Sequence, residues 1–257
     1  KYKSGYFTGC DHLEWIEVDP ENKTYLSHAG MLFRRGSYYR KDTPHYRENA
    51  VSMEFCPKAY RWTPEFPEGT TYISGLQNCD QIAEITIPEG VIVCAAFEGC
   101  TNLRSIRFPS TIEAFFPQMF LNCPSLEEVI LLSSRLADSE WISVRFAHLA
   151  VILIAPYVAL SCLPNSAKPG AVVGLAKWIS QGKTVSEDIW AEYLTYIRSR
   201  RKSLYPLAIE HEELMELLCR ERIIPKEQFQ ELLEQSIRLQ PFCWNIKGKG
   251  SREGCRA

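Results

Sequence analysis

Phe97-Glu98-Gly99-Cys100-Thr101-Asn102-Leu103-Arg104-Ser105-Ile106-Arg107-Phe108-Pro109 is the stretch that decides the fold, because its pattern returns along the chain. The copy that follows is Phe120-Leu121-Asn122-Cys123-Pro124-Ser125-Leu126-Glu127-Glu128-Val129-Ile130-Leu131, and the two cysteines are 123 − 100 = 23 residues apart. A degenerate copy, two residues short of this period, lies at 76–88, and another lies at 7–18. A fixed period of this size predicts a solenoid built from stacked units.

The apolar residues of this pattern alternate with polar ones. Ile106 and Phe108 point to one face of a predicted strand, while Ser105 and Arg107 point to the other. One unit cannot bury its own apolar face, so stacked copies are needed to line these residues into a continuous core. The period and this core pattern together are typical of leucine-rich repeats. We therefore predict an α/β-type repeat solenoid with a parallel sheet, followed by a small all-α helical region.

Three consecutive motifs resemble the repeat unit of one family in order and in spacing. They are Ile87-Pro88-Glu89-Gly90-Val91, Ala96-Phe97-Glu98-Gly99-Cys100 and the strand pattern at 103–108. In these motifs the chain resembles the bacterial surface-antigen class of leucine-rich repeats, often called BspA-like, over roughly the first 130 residues. The segment 111–117 departs from the family pattern because it lacks the usual glycine turn. The resemblance implies a secreted or cell-surface protein whose repeats present a binding surface.

The repeat predicts one more strand beyond the obvious copies. Adding 23 to Leu126, Val129 and Leu131 gives three apolar residues, which predicts a last parallel strand over 149–154. Residues 146–163 are uncharged, but His148, Pro156 and Pro164 interrupt this run, whereas a membrane span needs about 20 consecutive apolar residues. A buried strand and loop is therefore the favoured interpretation, and no membrane span is expected.

Beyond Pro164 the apolar residues follow a helical period. Helices are predicted at 170–182, from Ser186 to the basic residues before Pro206, at about 211–222 and at about 225–239. The outward positions of the last strands become apolar at Ile130, Val151 and Leu153, so we expect the helices to cap the open end of the solenoid. The predicted domains are the solenoid at 1–156 with a β-hairpin insertion at about 24–73, the helical module at 157–242, and a disordered tail at 243–257.

Composition and cysteine usage constrain the partners and the location. A net charge of -2 argues against a general attraction to nucleic acid or to anionic membranes. Cys10, Cys79, Cys100 and Cys123 share one repeat position and are expected to be small buried hydrophobic residues. Ten cysteines without a disulfide framework fit a reducing compartment, whereas the resemblance indicates the cell surface, so both locations stay open. Lys1 begins within a repeat unit, which suggests a processed fragment.

The sequence contains no recognisable catalytic or metal-binding motif. Gly182-Lys183-Thr184 lacks the glycine that a phosphate-binding loop needs five positions earlier, where Lys177 stands. There is no C-x-x-C pair, and the five histidines show no spacing with acids or cysteines that would form a site. We therefore predict a protein without a cofactor or metal that is not an enzyme. The alternative is a hydrolase or transferase whose catalytic residues are scattered along the chain.

The predicted function is the binding of a protein, peptide or glycan by the repeat scaffold. Residues 34–50 separate two strands of the predicted hairpin and are rich in arginine and tyrosine, the residue types that dominate binding hot spots. The candidate binding residues in this insertion are Arg35, Tyr38, Tyr39, Arg40 and Tyr46. A second candidate surface is the sheet face around Trp15, Glu84 and Arg107. The alternative for the insertion is a solvated loop whose tyrosines pack on their own hairpin.

Overall fold

The computed structural model describes residue 7 and residues 9–115, 119–135, 151–225, 228–232 and 234. The strands are β1 Tyr25–His28, β2 Met31–Arg35, β3 Val51–Phe55, β4 Thr70–Ile73, β5 Glu84–Thr86, β6 Val93–Cys94, β7 Ser105–Phe108, β8 Ala114–Phe115, β9 Glu128–Leu131 and β10 Ile152–Ile154. The helices are α1 Lys168–Ser180, α2 Glu187–Glu210 and α3 Glu212–Arg220, with a 3-10 turn at Leu160–Cys162. Residues 228–232 are also helical and lie within the fourth predicted helix.

The strands form two sheets, and the chain visits them in turn. Sheet A has the order β1-β2-β3-β4-β6-β8, and sheet B has the order β10-β9-β7-β5. From β4 to β9 each coil of the solenoid adds one strand to sheet A and the next strand to sheet B. All neighbours in sheet B are parallel, with Ile85, Ile106 and Val129 in one row. The predicted leucine-rich repeat solenoid with a parallel sheet is confirmed.

The alternation predicted for the repeat strands is also confirmed. Ile106 and Phe108 are fully buried, while Ser105 and Arg107 are half-buried on the other face of β7. Sheet A begins differently, because β1, β2 and β3 pair in antiparallel fashion before the parallel strands start. This antiparallel part lies within the β-hairpin insertion predicted at about 24–73.

A row of buried cysteines runs along the turn that leads into sheet B. The Cys100 thiol donates to the carbonyl of Leu76 at 2.9 Å, and the Cys123 thiol donates to that of Phe97 at 2.9 Å. Cys79 is also buried, which confirms three of the four predicted positions. A hydrogen bond with Cys56, together with burial, raises the pKa of Cys79. Each thiol therefore links its own coil to the coil before it.

The prediction that Cys10 is buried is wrong, since Cys10 is exposed. Its backbone makes the same turn as that of Cys100, with the nitrogen of residue 13 donating to Cys10 at 3.2 Å. In the part of the chain that the structure describes, no coil precedes this one, so nothing covers the thiol. The buried neighbour in the row is Cys56, which lies 79 − 56 = 23 residues before Cys79.

The predicted last strand is confirmed over Ile152–Ile154, but its phase is wrong by one residue. β10 pairs with β9 in parallel, and Leu153, not Ile152, lies beside Val129. Val151 and Leu153 therefore face the core and are buried, although the sequence had placed them outward. The connection from β9 to β10 holds one residue more than the 23-residue period allows, because 153 − 129 = 24. Leu149 lies outside the described residues.

Helix α1 covers the last strand, as predicted for the cap. A Cβ on Gly170 would lie 2.0 Å from the Val151 oxygen, and one on Gly174 would lie 2.2 Å from the Leu153 oxygen. The two glycines, four residues apart, lie on one helix face and let the helix backbone touch the strand backbone. An ion pair at 3.1 Å between Lys177 and Glu128 joins the helix to β9 as well. Helix α1 thereby covers the β10 edge of sheet B.

The prediction that Pro206 ends the second helix is wrong, since Pro206 lies inside α2. A proline inside a helix removes one backbone hydrogen bond. The buried neighbours Leu204, Tyr205 and Ala208 offset this loss, because tertiary packing stabilises helices more than local propensity does. The chain divides into two compact units, residues 1–199 and 200–257, while the domain boundary placed after residue 156 stays a prediction. Among the described residues, no helix has the length and apolar character needed to cross a membrane.

Candidate binding surface

The predicted insertion leaves sheet A between two paired residues. Arg35, at the end of β2, lies opposite Val51, at the start of β3. The chain between them, residues 36–50, is a segment without helix or strand, which we call the insertion loop. Its two ends are fixed by the sheet, so the position of its residues depends on what the loop packs against.

Two tyrosines of the insertion loop, Tyr38 and Tyr39, pack on Tyr72 of β4. Tyr38 stacks on Tyr72 of β4, with ring centroids 4.1 Å apart and an angle of 11° between the ring planes. Tyr39 meets the same ring edge-on at 5.9 Å and is half-buried against Val93 and its neighbours. Burial raises the pKa of both Tyr39 and Tyr72. Tyr38 nevertheless keeps 49% of its surface exposed.

A cluster of charges holds the far end of the insertion loop against β8. Both oxygens of Glu113 accept hydrogen bonds from Arg47, at 3.0 and 3.1 Å. His45 lies 3.3 Å from the same carboxylate, and Arg135 also pairs with it. We call these four residues the Glu113 cluster. Since the Glu113 side chain is only 18% exposed, solvent screens its pairing with Arg47 less than it screens a fully exposed ion pair.

The exposed ring of Tyr38 forms one wall of a groove of about 710 Å³ beside the ends of β3 and β4. A second aromatic stack, between Phe7 and Phe55 at 4.7 Å, also lines this groove. Gln77 donates its amide N–H to the carbonyl of Ala95 at 3.0 Å, which leaves its side-chain oxygen as an acceptor. The remaining lining residues are Gly9, Glu54, Cys56, Lys58, Tyr72, Ser74, Gly75, Asn78 and Ala95. The groove thus combines flat apolar walls with amide and hydroxyl groups and with the charged side chains of Glu54 and Lys58.

The structure brings together only part of the predicted binding residues. Tyr38 lines the groove, and Tyr39 supports it from the outer face of sheet A. Arg40 pairs with Asp42 at 3.4 Å and is 85% exposed, and Tyr46 is half-buried elsewhere in the insertion loop. Arg35 is exposed at the end of β2. Sequence reasoning missed Tyr72, Gln77 and the Phe7–Phe55 pair, because only the fold places these distant residues beside Tyr38.

The second predicted surface separates into two places. Glu84 and Arg107 lie on the outer face of sheet B, where Glu84 is opposite Ser105 and Arg107 is opposite Thr86. Trp15 lies apart from this row, over Gly30 and edge-on to Trp62 at 5.3 Å. The exposed ring of Trp62 was also missed by sequence reasoning. Counting the 23-residue period back from Cys79 places a coil at Cys56. Trp62 follows soon after Cys56 in the sequence, so the period could have indicated this residue.

The described residues contain no group of three or more His, Cys, Asp or Glu side chains that could hold a metal ion. Burial raises the pKa of the Cys94 and Cys100 thiols to about 12 each, so both are protonated at neutral pH. A protonated thiol is a poor nucleophile and a poor metal ligand. Both side chains are fully buried and pack in the core as small apolar groups.

Replacing Glu113 by glutamine tests whether the Glu113 cluster fixes the insertion loop. Without the carboxylate, Arg47 and Arg135 lose their acceptor, and we expect about 1 kcal/mol less stability for the closed loop. That difference corresponds to roughly fivefold faster cleavage by trypsin at Arg40 and Lys41 under native conditions. The cleavage rate is measured by mass spectrometry. Glu187→Gln, which removes an exposed carboxylate outside the insertion loop and away from the cleavage sites, is the matched control. Equal cleavage rates in the Glu113 variant and the natural protein would contradict this role.

Comparison with known proteins agrees with the geometry of the coils. Residues 64–140 match the family model for the BspA type leucine-rich repeat region. A solved structure of a leucine-rich cell surface protein from Faecalibacterium prausnitzii shares 17% sequence identity and a TM-score of 0.35 with this chain. That alignment covers 49% of this chain and 38% of the other, so the chain spans well under two thirds of that protein's length. No curated protein matches the chain.

Proposed function

We propose, from the premise that residues 64–140 match the BspA-type leucine-rich repeat region, that this protein is a non-catalytic scaffold that binds a protein or peptide. Solenoids of stacked repeats present extended surfaces and loops on a rigid core. The observation that carries the proposal is the groove beside Tyr38, where a 49% exposed aromatic ring is held in a fixed position by its stack on Tyr72. A preorganised aromatic ring loses little conformational entropy when a ligand binds.

The polar groups of the groove favour an extended peptide. The Ser74 hydroxyl donates to the carbonyl of Met53 at 2.8 Å, so its oxygen is available as an acceptor, as is that of Gln77. Acceptors of this kind suit the backbone N–H groups of an extended chain. The two aromatic stacks, Tyr38–Tyr72 and Phe7–Phe55, offer apolar contact for its side chains. Hot spots in interfaces are rich in such aromatic groups.

A displayed library of random peptides, selected on the intact chain, tests this proposal. We expect selected peptides to bind the Tyr38→Ala variant at least tenfold more weakly, since loss of an aromatic hot spot costs about 2 kcal/mol or more. Affinities are measured by isothermal titration calorimetry, and circular dichroism confirms that each variant is folded. Tyr157→Ala is the matched control, because Tyr157 is exposed to a similar extent, 44%, and does not line the groove.

A second variant separates binding from loop position. Gln77→Ala removes an acceptor from the groove without touching the insertion loop, and we expect a smaller loss of about threefold to tenfold. If neither Tyr38→Ala nor Gln77→Ala weakens binding in folded protein, the groove is not the site. The outer face of sheet B around Glu84 and Arg107 then becomes the surface to test.

A further inference from the structure

Two exposed tryptophans lie together outside the groove. Trp15 is 45% exposed and Trp62 is 48% exposed, with ring centroids 5.3 Å apart and an angle of 80° between the planes. Tryptophan is usually mostly buried, and exposed clusters of large apolar side chains mark interaction sites. The pair comes from two segments, 47 residues apart in the sequence since 62 − 15 = 47. The fold therefore brings these two indole rings together, and we call the surface formed by Trp15 and Trp62 the corner.

Both rings are held in place by the structure around them. Gly30 has a φ of +77°, and a Cβ on it would lie 2.3 Å from Cε3 of Trp15, so the indole rests directly on bare backbone. The nitrogen of Ile16 donates to the carbonyl of Gly30 at 2.9 Å, which fixes the segment that carries Trp15. Trp62 in turn contacts the buried ring of Tyr60, with centroids 5.4 Å apart. The corner is thus preorganised before any ligand arrives.

The residues beside the two indoles are charged and paired with each other. Glu14 precedes Trp15, Arg61 precedes Trp62, and the carboxylate of Glu14 accepts a hydrogen bond from the guanidinium of Arg61. Their side chains are 43% and 69% exposed. The carboxylate and the guanidinium at the edge of the two indole faces offer hydrogen-bond acceptors and donors beside apolar contact. Because the two charges cancel, the corner has no net attraction for a simple cation or anion.

We propose that the corner formed by Trp15 and Trp62, with Glu14 and Arg61 at its edge, binds a neutral pyranose unit of a glycan. The axial C–H groups on one face of a sugar ring carry partial positive charge and fit the negative face of an indole. The hydroxyl groups at the edge of the ring donate to a carboxylate and accept from a guanidinium, which Glu14 and Arg61 supply side by side. This site is separate from the groove of the proposed function and takes a different class of ligand.

The test is titration of the full chain with neutral hexasaccharides of glucose, xylose, mannose and N-acetylglucosamine, with a sulfated hexasaccharide and phosphocholine as the charged probes. Calorimetry gives the affinity, and indole fluorescence reports on the rings. We expect at least one neutral hexasaccharide to bind, and Trp62→Ala and Trp15→Ala each to weaken it about tenfold or more. Glu14→Gln, which keeps an acceptor, is expected to weaken it less than Glu14→Ala does.

Two controls keep the outcome interpretable. Tyr157→Ala removes a comparably exposed aromatic ring elsewhere and should leave glycan binding unchanged. Tyr38→Ala should weaken the peptide and leave the glycan unchanged, so the two sites can fail separately. The proposal is overturned if no neutral hexasaccharide binds, if only phosphocholine or the sulfated probe binds, or if a folded Trp62→Ala variant binds as well as the natural protein. Trp62→Phe, which keeps an aromatic face, should recover part of the affinity and so excludes loss of folding as the cause.

Discussion

Gly174→Ala is expected to destabilise the protein by about 2 kcal/mol or more, although the same change in an exposed helix stabilises it by about 1 kcal/mol. The reason for the reversed sign is the 2.2 Å that would separate the new Cβ from the carbonyl oxygen of Leu153. Neither atom belongs to a flexible side chain, so helix α1 and strand β10 must move apart. The separation would loosen the packing of Val172 and Leu175, which are buried in the same helix.

Urea unfolding, followed by circular dichroism, measures this effect. We expect the midpoint to fall without a change in helix content of the folded protein, since alanine itself favours a helix. Ser180→Ala, at an exposed position of the same helix, is the control and should change the stability by no more than about 0.5 kcal/mol. A more stable Gly174→Ala variant would mean that α1 does not rest on the β10 backbone.

A chain that ends at Pro156 is expected to aggregate or to lose cooperative unfolding. This truncation removes α1, and with it the cover of Val151 and Leu153 and the partner of Glu128. The bare β10 would present an unpaired edge and apolar core residues to water, which is a template for association with other chains. Size-exclusion chromatography and calorimetric unfolding provide the two readouts.

The matched control is a chain that ends at Ser199, the last residue of the first compact unit, which keeps α1 and the start of α2. In that part of α2, Glu192 accepts hydrogen bonds from the nitrogens of Leu160 and Ser161, at 3.2 and 2.7 Å. We expect this longer chain to stay monodisperse and to unfold cooperatively. If the chain ending at Pro156 behaves as well as the chain ending at Ser199, the helices are an independent module and not a cap.

The repeat sheet could be predicted from the sequence because its signal is redundant. Cysteine, leucine and strand positions all return with the same 23-residue spacing, so the alternation around Ile106 and Val129 is read several times over. Sheet A was not predicted in detail, since strands such as Val93–Cys94 and Ala114–Phe115 are two residues long. A strand that short has no alternation that a sequence pattern can reveal.

The candidate site was less predictable than the fold because its partners are distant in sequence. The composition of the insertion loop selected Tyr38 as a candidate binding residue, but nothing in the sequence links it to Tyr72 or to Phe55, which line the same groove. The cap was predicted from the apolar outward positions of the last strands, yet the phase of β10 was wrong, because one additional residue in a connection turns every following side chain to the opposite face. Local sequence patterns reveal the repeat period, whereas the position of an additional residue between two repeats is known only from the structure.

The pairing of Arg35 with Val51 at the two ends of the insertion loop has a consequence for how such a protein can change. Opposite residues of an antiparallel pair lie only about 5 Å apart, so a segment of almost any length can start and finish there without disturbing the strands. Residues 36–50 can therefore be replaced by another segment while the strands on either side keep their positions. Grafting a foreign sequence between these two residues should yield a new recognition specificity on the same solenoid, as immune receptors achieve with loops on a constant sandwich.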